Sequence, residues 1–207
     1  VAHDMSNYAQ SLEWSLACAD DDLEALDCAR DAARHMSELA RELRDASRPR
    51  TAGPASVHTC VESAIKLSRG AFFGHELQIA LPPTAPLVHA DSGHLVQILV
   101  NLIHNAADAM PQRGVIRVWA KESGGRMVVG VDDSGPGVPE AQREAIFDPF
   151  MTTKGSKGTG LGLTMCRRYA LEFGGELKVD AAPTGGARFT VTLLPVDAQD
   201  QAVSPHH

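Results

Sequence analysis

Two glycine clusters in the second half of the chain have the residue types and spacing of a phosphate-binding site. The first is DSGPG at 133–137 and the second is GTGLG at 158–162. Glycines at alternate positions leave backbone N–H groups uncovered by any Cβ, and the second cluster leads into an apolar-periodic helix predicted over 159–173. Because free N–H groups at a helix N-terminus attract anions, the pattern predicts that a phosphate binds there.

A polar stripe follows one face of the apolar helix predicted over 92–110. Gln97, Asn101, Asn105 and Asp108 recur at spacings of four, four and three residues, which places them on one side. Asn is a poor helix former, so two of them one turn apart favour a function. Their oxygens are hard donors of the kind that Mg²⁺ takes together with phosphate and water. A hydrogen-bonded structural pair is the alternative.

The third pattern is His3-Asp4 followed by Asn7, close to the start of the sequence. Residues 1–47 contain no Gly and no Pro, and their periodicity predicts two helices that meet near 20–22 as a helical hairpin. His3 and Asn7 then lie one turn apart on one face. A neutral imidazole is a competent nucleophile near pH 7, and Asp4 is placed to hydrogen-bond its other nitrogen. An exposed histidine without any role is the alternative.

Two domains are expected. Residues 1–48 form the hairpin, which is too small to stand alone and is predicted to pair with a second copy as a four-helix bundle in a homodimer. Residues 49–56 are a polar, proline-containing linker, 57–195 form the second domain, and 196–207 form a disordered tail. Helices at 57–68, 92–110 and 159–173 alternate with strands at 76–81, 115–121, 127–132, 176–180 and 187–194. The fold class is therefore α+β, with helices on one face of a mixed, mostly antiparallel sheet.

The composition excludes several classes of function. A net charge of −7 and a pI near 5.7 disfavour nucleic acid as a partner. The four cysteines form no C-x-x-C pair, so no zinc site or disulfide framework is indicated and a reducing cytoplasm is expected. No apolar run approaches the roughly 20 residues that span a bilayer, so no membrane contact is expected within this fragment. The chain is interpreted as the cytoplasmic part of a longer protein whose sensor, with any membrane anchor, lies upstream.

Four segments together resemble the nucleotide-binding boxes of sensor histidine kinases, in order and at suitable spacings. They are NLIHNAADAM at 101–110, DSGPG at 133–137, IFDPF at 146–150 and GTGLGL at 158–163. With the hairpin included, the resemblance covers residues 1–195. It implies an antiparallel phosphoacceptor hairpin followed by an α/β sandwich of the GHKL type that binds ATP.

The resemblance also implies a role for each site residue. Asp133 would accept a hydrogen bond from the adenine amino group, and Asn105 would be the Mg²⁺ ligand. Asn101 stands where related hydrolysing ATPases place a glutamate; an amide cannot act as that base, so ATP would be kept for transfer. Phe147 and Phe150 are either core anchors for a mobile lid at 152–159 or functional groups. The implied nucleotide contacts are Asn101, Asn105, Asp133, Gly135, Gly137, Phe150, Thr153, Lys154, Lys157, Gly158, Thr159, Gly160, Leu161 and Gly162.

The activity that follows is autophosphorylation of His3 from Mg-ATP and transfer of the phosphoryl group to an aspartate of a response regulator receiver domain. Asp4 would assist His3, and Asn7 would orient water against a phosphorylated partner in a phosphatase reaction. The box around His3 lacks the proline of the commoner pattern, and Ser6 stands at a position that is often Asn. Two alternatives remain: an ATP-hydrolysing conformational machine on the same scaffold, and a docking module that does not use ATP.

Overall fold

The structure is a computed structural model that describes residues 53–149, 151 and 160–196. The predicted hairpin with His3, Asp4 and Asn7, and the predicted lid at 152–159, lie outside the described residues. In chain order the elements are β1 (Pro54–Ser56), α1 (Val57–Leu67), β2 (Glu76–Ala80), β3 (Leu87–His89), α2 (Ser92–Asp108), β4 (Val115–Ser123), β5 (Arg126–Asp133), α3 (Gly162–Glu172), β6 (Glu176–Ala181) and β7 (Ala187–Leu193). Short 3₁₀ helices lie at Arg69–Phe72, Glu140–Gln142 and Ala145–Phe147.

A five-stranded sheet forms one layer of the domain, in the order β2-β4-β5-β7-β6. β2 runs parallel to β4, and every other pair in this sheet is antiparallel. Burial alternates along the strands, as in β7, where Ala187, Phe189, Val191 and Leu193 are buried and the residues between them are partly exposed. One face of the sheet therefore belongs to the core.

The helices form the second layer on that buried face. Packing of α2 depends on its apolar side, which is fully buried: Leu95, Ile98, Leu99, Leu102, Ile103 and Ala106. α3 buries Met165, Cys166, Tyr169 and Ala170. The predicted α+β class, with helices over a mixed, mostly antiparallel sheet, is confirmed for the described residues.

A side-chain cap begins α2, and one ring contact joins it to α3. The Asp91 carboxylate accepts a hydrogen bond from the His94 N–H at 2.9 Å and so begins α2. The His94 ring stacks on Tyr169 with ring centroids 4.0 Å apart, which joins α2 to α3. His94 thus has a packing role.

The domain extends beyond the predicted boundaries at both ends. β1 lies inside the predicted linker 49–56 and pairs with β3 in a separate two-stranded sheet. Val196, predicted to open the disordered tail, is buried, and its N–H donates to the Leu87 carbonyl at 2.7 Å. α3 begins at Gly162 rather than 159, since Gly160 has a φ of 66° that a helix cannot contain. No helix in the described ranges is long and apolar enough to cross a membrane.

Candidate nucleotide-binding site

Asp133 ends β5, and its carboxylate has one fixed oxygen and one available oxygen. Oδ1 accepts hydrogen bonds from the Gly135 N–H at 2.8 Å and from the Ala187 N–H at 3.1 Å. Oδ2 accepts no hydrogen bond from the described residues. It is not fully buried but keeps some surface that solvent can reach. The residue as a whole is only 2% exposed. This arrangement presents a single oriented acceptor to a donor such as an amino group.

The turn between β6 and β7 packs directly against Asp133. The Thr184 hydroxyl donates to the Asp133 carbonyl oxygen. A Cβ added at Gly186 would overlap both the side chain and the carbonyl oxygen of Asp133, so only glycine allows the turn to approach this closely. The sequence pattern assigned Thr184, Gly186 and Ala187 no role in the site.

The surroundings of Asp133 act on its protonation in opposite directions. Burial raises the pKa of its carboxyl above the ordinary value, while the two N–H groups from Ala187 and Gly135 favour the charged form and lower it. The charge of the neighbouring Asp132 raises it further. The net direction is upward, so Asp133 takes up a proton at a higher pH than an exposed aspartate does.

The first glycine cluster lies between this turn and the end of α2. Gly137 has a φ of 74°, and a Cβ there would come within 3.3 Å of the Gly186 carbonyl oxygen. At Gly135 a Cβ would lie 3.2 Å from Met110 Cγ and 3.3 Å from the Ala109 carbonyl oxygen. The cluster therefore closes the end of the site formed by Asp133 and the C-terminal end of α2.

Asn101 marks the opposite end of the site. Its Nδ2 donates to the Cys166 Sγ at 3.5 Å, while its Oδ1 accepts no hydrogen bond from the described residues. A Cβ at Gly162 would lie 3.8 Å from the Asn101 Nδ2, so the first turn of α3 is adjacent to this amide. Asn105 is half-buried one turn further along the same face. The amide oxygens of this face suit a hard cation such as Mg²⁺.

The N-terminus of α3 carries backbone N–H donors beside Asn101 that have no partner within the part of the chain that the structure describes. The Met165 N–H makes the first helical bond, to the Leu161 carbonyl at 2.9 Å, so the N–H groups of Gly162, Leu163 and Thr164 precede the ladder. Such groups bind anions. Asn101 and Ala109 are about 12 Å apart along the axis of α2. A base at Asp133 and phosphates at α3 would thus lie at the two ends of one elongated site.

Phe147 anchors the segment that precedes the predicted lid. It is 4% exposed, and its carbonyl accepts a hydrogen bond from the Thr164 hydroxyl at 3.0 Å. The Arg167 guanidinium lies 5.2 Å from the centre of the Phe147 ring and pairs with Glu144 at 3.2 Å. Of the two roles predicted for Phe147, the structure supports packing in the core. The sequence pattern placed Thr164 and Arg167 on a helix but gave no sign of their contacts with Phe147.

Six predicted nucleotide contacts lie outside the described residues: Phe150, Thr153, Lys154, Lys157, Gly158 and Thr159. The others fall into two groups. Asp133, Gly135 and Gly137 lie together at one end, and Asn101, Asn105, Gly160, Leu161 and Gly162 belong to α2 and the start of α3. Within the described ranges no group of three or more His, Cys, Asp or Glu side chains is arranged to hold a metal ion.

The sequence profile of the Histidine kinase-, DNA gyrase B-, and HSP90-like ATPase family matches residues 90–197. The chain belongs to this family, and the described domain is its ATP-binding domain. Its similar proteins in the family include sensor histidine kinases. The predicted class of enzyme, a protein-histidine kinase, is therefore confirmed.

Three of these relatives show how far the similarity extends. The sensor histidine kinase ZraS of Escherichia coli O157:H7 is 43% identical over 118 residues, which are 57% of this chain and 26% of ZraS. A structure of the catalytic domain of histidine kinase ThkA is 30% identical with a TM-score of 0.59, over 67% of this chain and 93% of that one. Full-length ShkA in complex with AMPPNP is 25% identical with a TM-score of 0.69, over 84% of this chain and 39% of that one.

The chain spans about a quarter of the length of these curated relatives. What those whole proteins do is therefore a proposal for this chain.

Proposed function

We propose that the chain is the kinase core of a sensor histidine kinase, which binds Mg-ATP in the described domain and phosphorylates His3. The observation that carries this proposal is Asp133, because one carboxylate oxygen is fixed by two N–H groups and the other is left for a donor. The amino group of adenine is such a donor. The carbonyl oxygen that guanine carries at the same position would be repelled by the carboxylate.

The triphosphate would lie between α2 and the first turn of α3. The N–H groups of Gly162, Leu163 and Thr164 at the start of α3 would attract the negative charge of the phosphates, and Lys154 or Lys157 of the lid would add positive charge. Asn105 would hold Mg²⁺, which when bound neutralises charge on the phosphate oxygens. Thr153, Gly158, Thr159, Gly160 and Leu161 would complete the phosphate end. Phe150 remains either a lid anchor or a contact.

Phosphoryl transfer would proceed from ATP to the imidazole of His3. The ring nitrogen forms a bond to the γ-phosphorus while the bond from that phosphorus to the β–γ bridging oxygen breaks, and ADP leaves. Asp4 would fix the tautomer of His3 and take the proton from its other nitrogen. Asn101 is an amide without the basicity to activate water, which favours transfer over hydrolysis.

The phosphoryl group would then pass to an aspartate of a response regulator. Residues 1–48 would form the homodimer as a four-helix bundle. This bundle would present His3 first to the ATP-binding domain and then to the response regulator. Asn7, one turn from His3, would orient water for dephosphorylation of the regulator. Support for nucleotide use comes from ShkA, whose solved structure holds AMPPNP, and support for signalling comes from the description of ZraS as a sensor histidine kinase.

Incubation with γ-labelled ATP tests this proposal. We expect an acid-labile, alkali-stable phosphoprotein, with no label in the His3→Gln variant, which still binds ATP, and reduced label in Asp133→Asn, which binds ATP more weakly. Undiminished label in His3→Gln would exclude His3 as the acceptor. Steady release of phosphate without labelled protein would favour the ATP-hydrolysing machine, and failure to bind ATP with or without Mg²⁺ would favour the docking module.

A further inference from the structure

The turn that joins β6 to β7 contacts Asp133 at three places, next to the point where β7 pairs with β5. The Thr184 hydroxyl donates to the Asp133 carbonyl, Gly186 lies against its side chain, and the Ala187 N–H donates to Oδ1. The turn is separated from Asp133 by about 50 residues of chain, so tertiary structure alone brings them together.

These contacts go beyond what the turn needs for its own stability. The Ala182 N–H donates to the Gly186 carbonyl at 2.8 Å and the Gly185 N–H donates to the Ala182 carbonyl at 3.0 Å. Both bonds close the turn without the Thr184 side chain. Removal of that hydroxyl should therefore leave the hairpin intact and change only how Asp133 is held.

From this geometry we infer that Thr184 and Gly186 are positioning residues that set the base selectivity of the nucleotide site. They hold the Ala187 N–H on Oδ1, and Oδ1 so held directs Oδ2 at the 6-position of a purine. An oriented carboxylate attracts the 6-amino group of adenine and repels the 6-oxo group of hypoxanthine. A carboxylate that is free to rotate loses both effects. The inference rests on the proposed placement of adenine at Asp133.

Titration of the full chain with ATP and with ITP, both in the presence of Mg²⁺, tests the inference, because the two bases differ at the 6-position. We expect Thr184→Val to lower the affinity for ATP about three- to tenfold, the range of one lost hydrogen bond, and to lower the ratio of ATP to ITP affinity by a similar factor. Thr184→Ser retains the hydroxyl and should restore both values. Gly186→Ala should lower the ratio further.

The control is Thr192→Val, the same change on β7 where the residue pairs with Val128 and Glu176 instead of reaching the site; it should bind both nucleotides as the unaltered chain does. An unchanged ratio in Thr184→Val, or an equal loss for both nucleotides, overturns the inference and leaves the proposed function standing. If the unaltered chain binds neither nucleotide, the proposed function fails and the inference falls with it. Should Gly186→Ala not fold, the Val and Ser variants at 184 decide alone.

Discussion

Two adjacent aspartates at the end of β5 are both buried, but they have different roles because their carboxylates have different hydrogen-bond partners. Asp132 is fully buried, and both its oxygens are engaged: Oδ1 by the Trp119 indole N–H and the Arg188 Nε, each at 2.8 Å, and Oδ2 by a second Arg188 nitrogen at 2.7 Å. Asp133 points to the other face of the sheet, and its Oδ2 accepts no hydrogen bond from the described residues. Asp132 therefore fixes the sheet, while Asp133 is left to recognise a ligand.

The affinity for ATP should depend on the protonation of Asp133. Only the ionised carboxylate accepts from the adenine amino group without offering a proton of its own, and burial raises the pKa of this group. As pH falls, affinity should therefore decline at a higher pH than the pKa of an ordinary aspartate, near 3.9, would give. Isothermal titration with ATP from pH 8 downward to about pH 4.5 measures this.

Asp133→Asn is the matched control for the pH series. It keeps the shape and one oxygen acceptor but cannot titrate, so its affinity should be weaker by about tenfold and flat over the same pH range. A decline of equal steepness in the Asn variant would assign the pH dependence to another group.

At the scale of the element, the strands explain which parts of the fold the sequence predicts well. β7 alternates apolar and polar residues over its seven positions, β4 and β5 are apolar, valine-containing runs on either side of a Gly-Gly turn, and α2 repeats its apolar positions over several turns, so all were predicted within a few residues. β1 and β3 have three residues each, which is too short for any period. Asp133 and the glycines carried a local signal. Thr184 did not, because its significance depends on a strand register that the local sequence does not contain.

The ion pair between Arg188 and Asp132 links β7 to β5, and we expect its removal to destabilise the sheet. Arg188→Leu leaves the fully buried carboxylate of Asp132 without its charge partner and should lower the free energy of unfolding by about 3–5 kcal/mol. Chemical denaturation measures this loss. Adding Asp132→Leu should recover much of the loss, since it removes the unpaired charge.

Lys178→Leu serves as the comparison for this ion pair, because Lys178 pairs with Glu176 at 2.8 Å on the exposed side of the neighbouring strand. Its loss should leave the unfolding free energy nearly unchanged. If Arg188→Leu were as stable as Lys178→Leu, the Arg188–Asp132 pair would not be holding these strands together.

At the scale of the whole described domain, its first and last described segments meet at one strand. β3 pairs with β1 on one side, and on the other the His89 N–H donates to the Leu194 carbonyl at 2.8 Å while the Val196 N–H donates to the Leu87 carbonyl. Residues that sequence reasoning placed in a linker and a tail thus complete the fold. A domain that closes on itself in this way has what it needs to fold when it is cut from the rest of the chain.

Fragments with different ends test both this closure and the separation of nucleotide binding from phosphoryl acceptance. A fragment of residues 51–196 keeps β1, the Ser56 side chain that accepts from the Thr59 N–H, and Val196; we expect it to bind ATP as the full chain does. A fragment of residues 57–195, cut at the predicted boundaries, loses these and should be less stable by at least about 1 kcal/mol in thermal or chemical denaturation. Neither fragment contains His3, so neither should be labelled by γ-labelled ATP. Label on the 51–196 fragment would place the acceptor within the ATP-binding domain, and equal stability of the two fragments would show that β1 and Val196 do not close the fold.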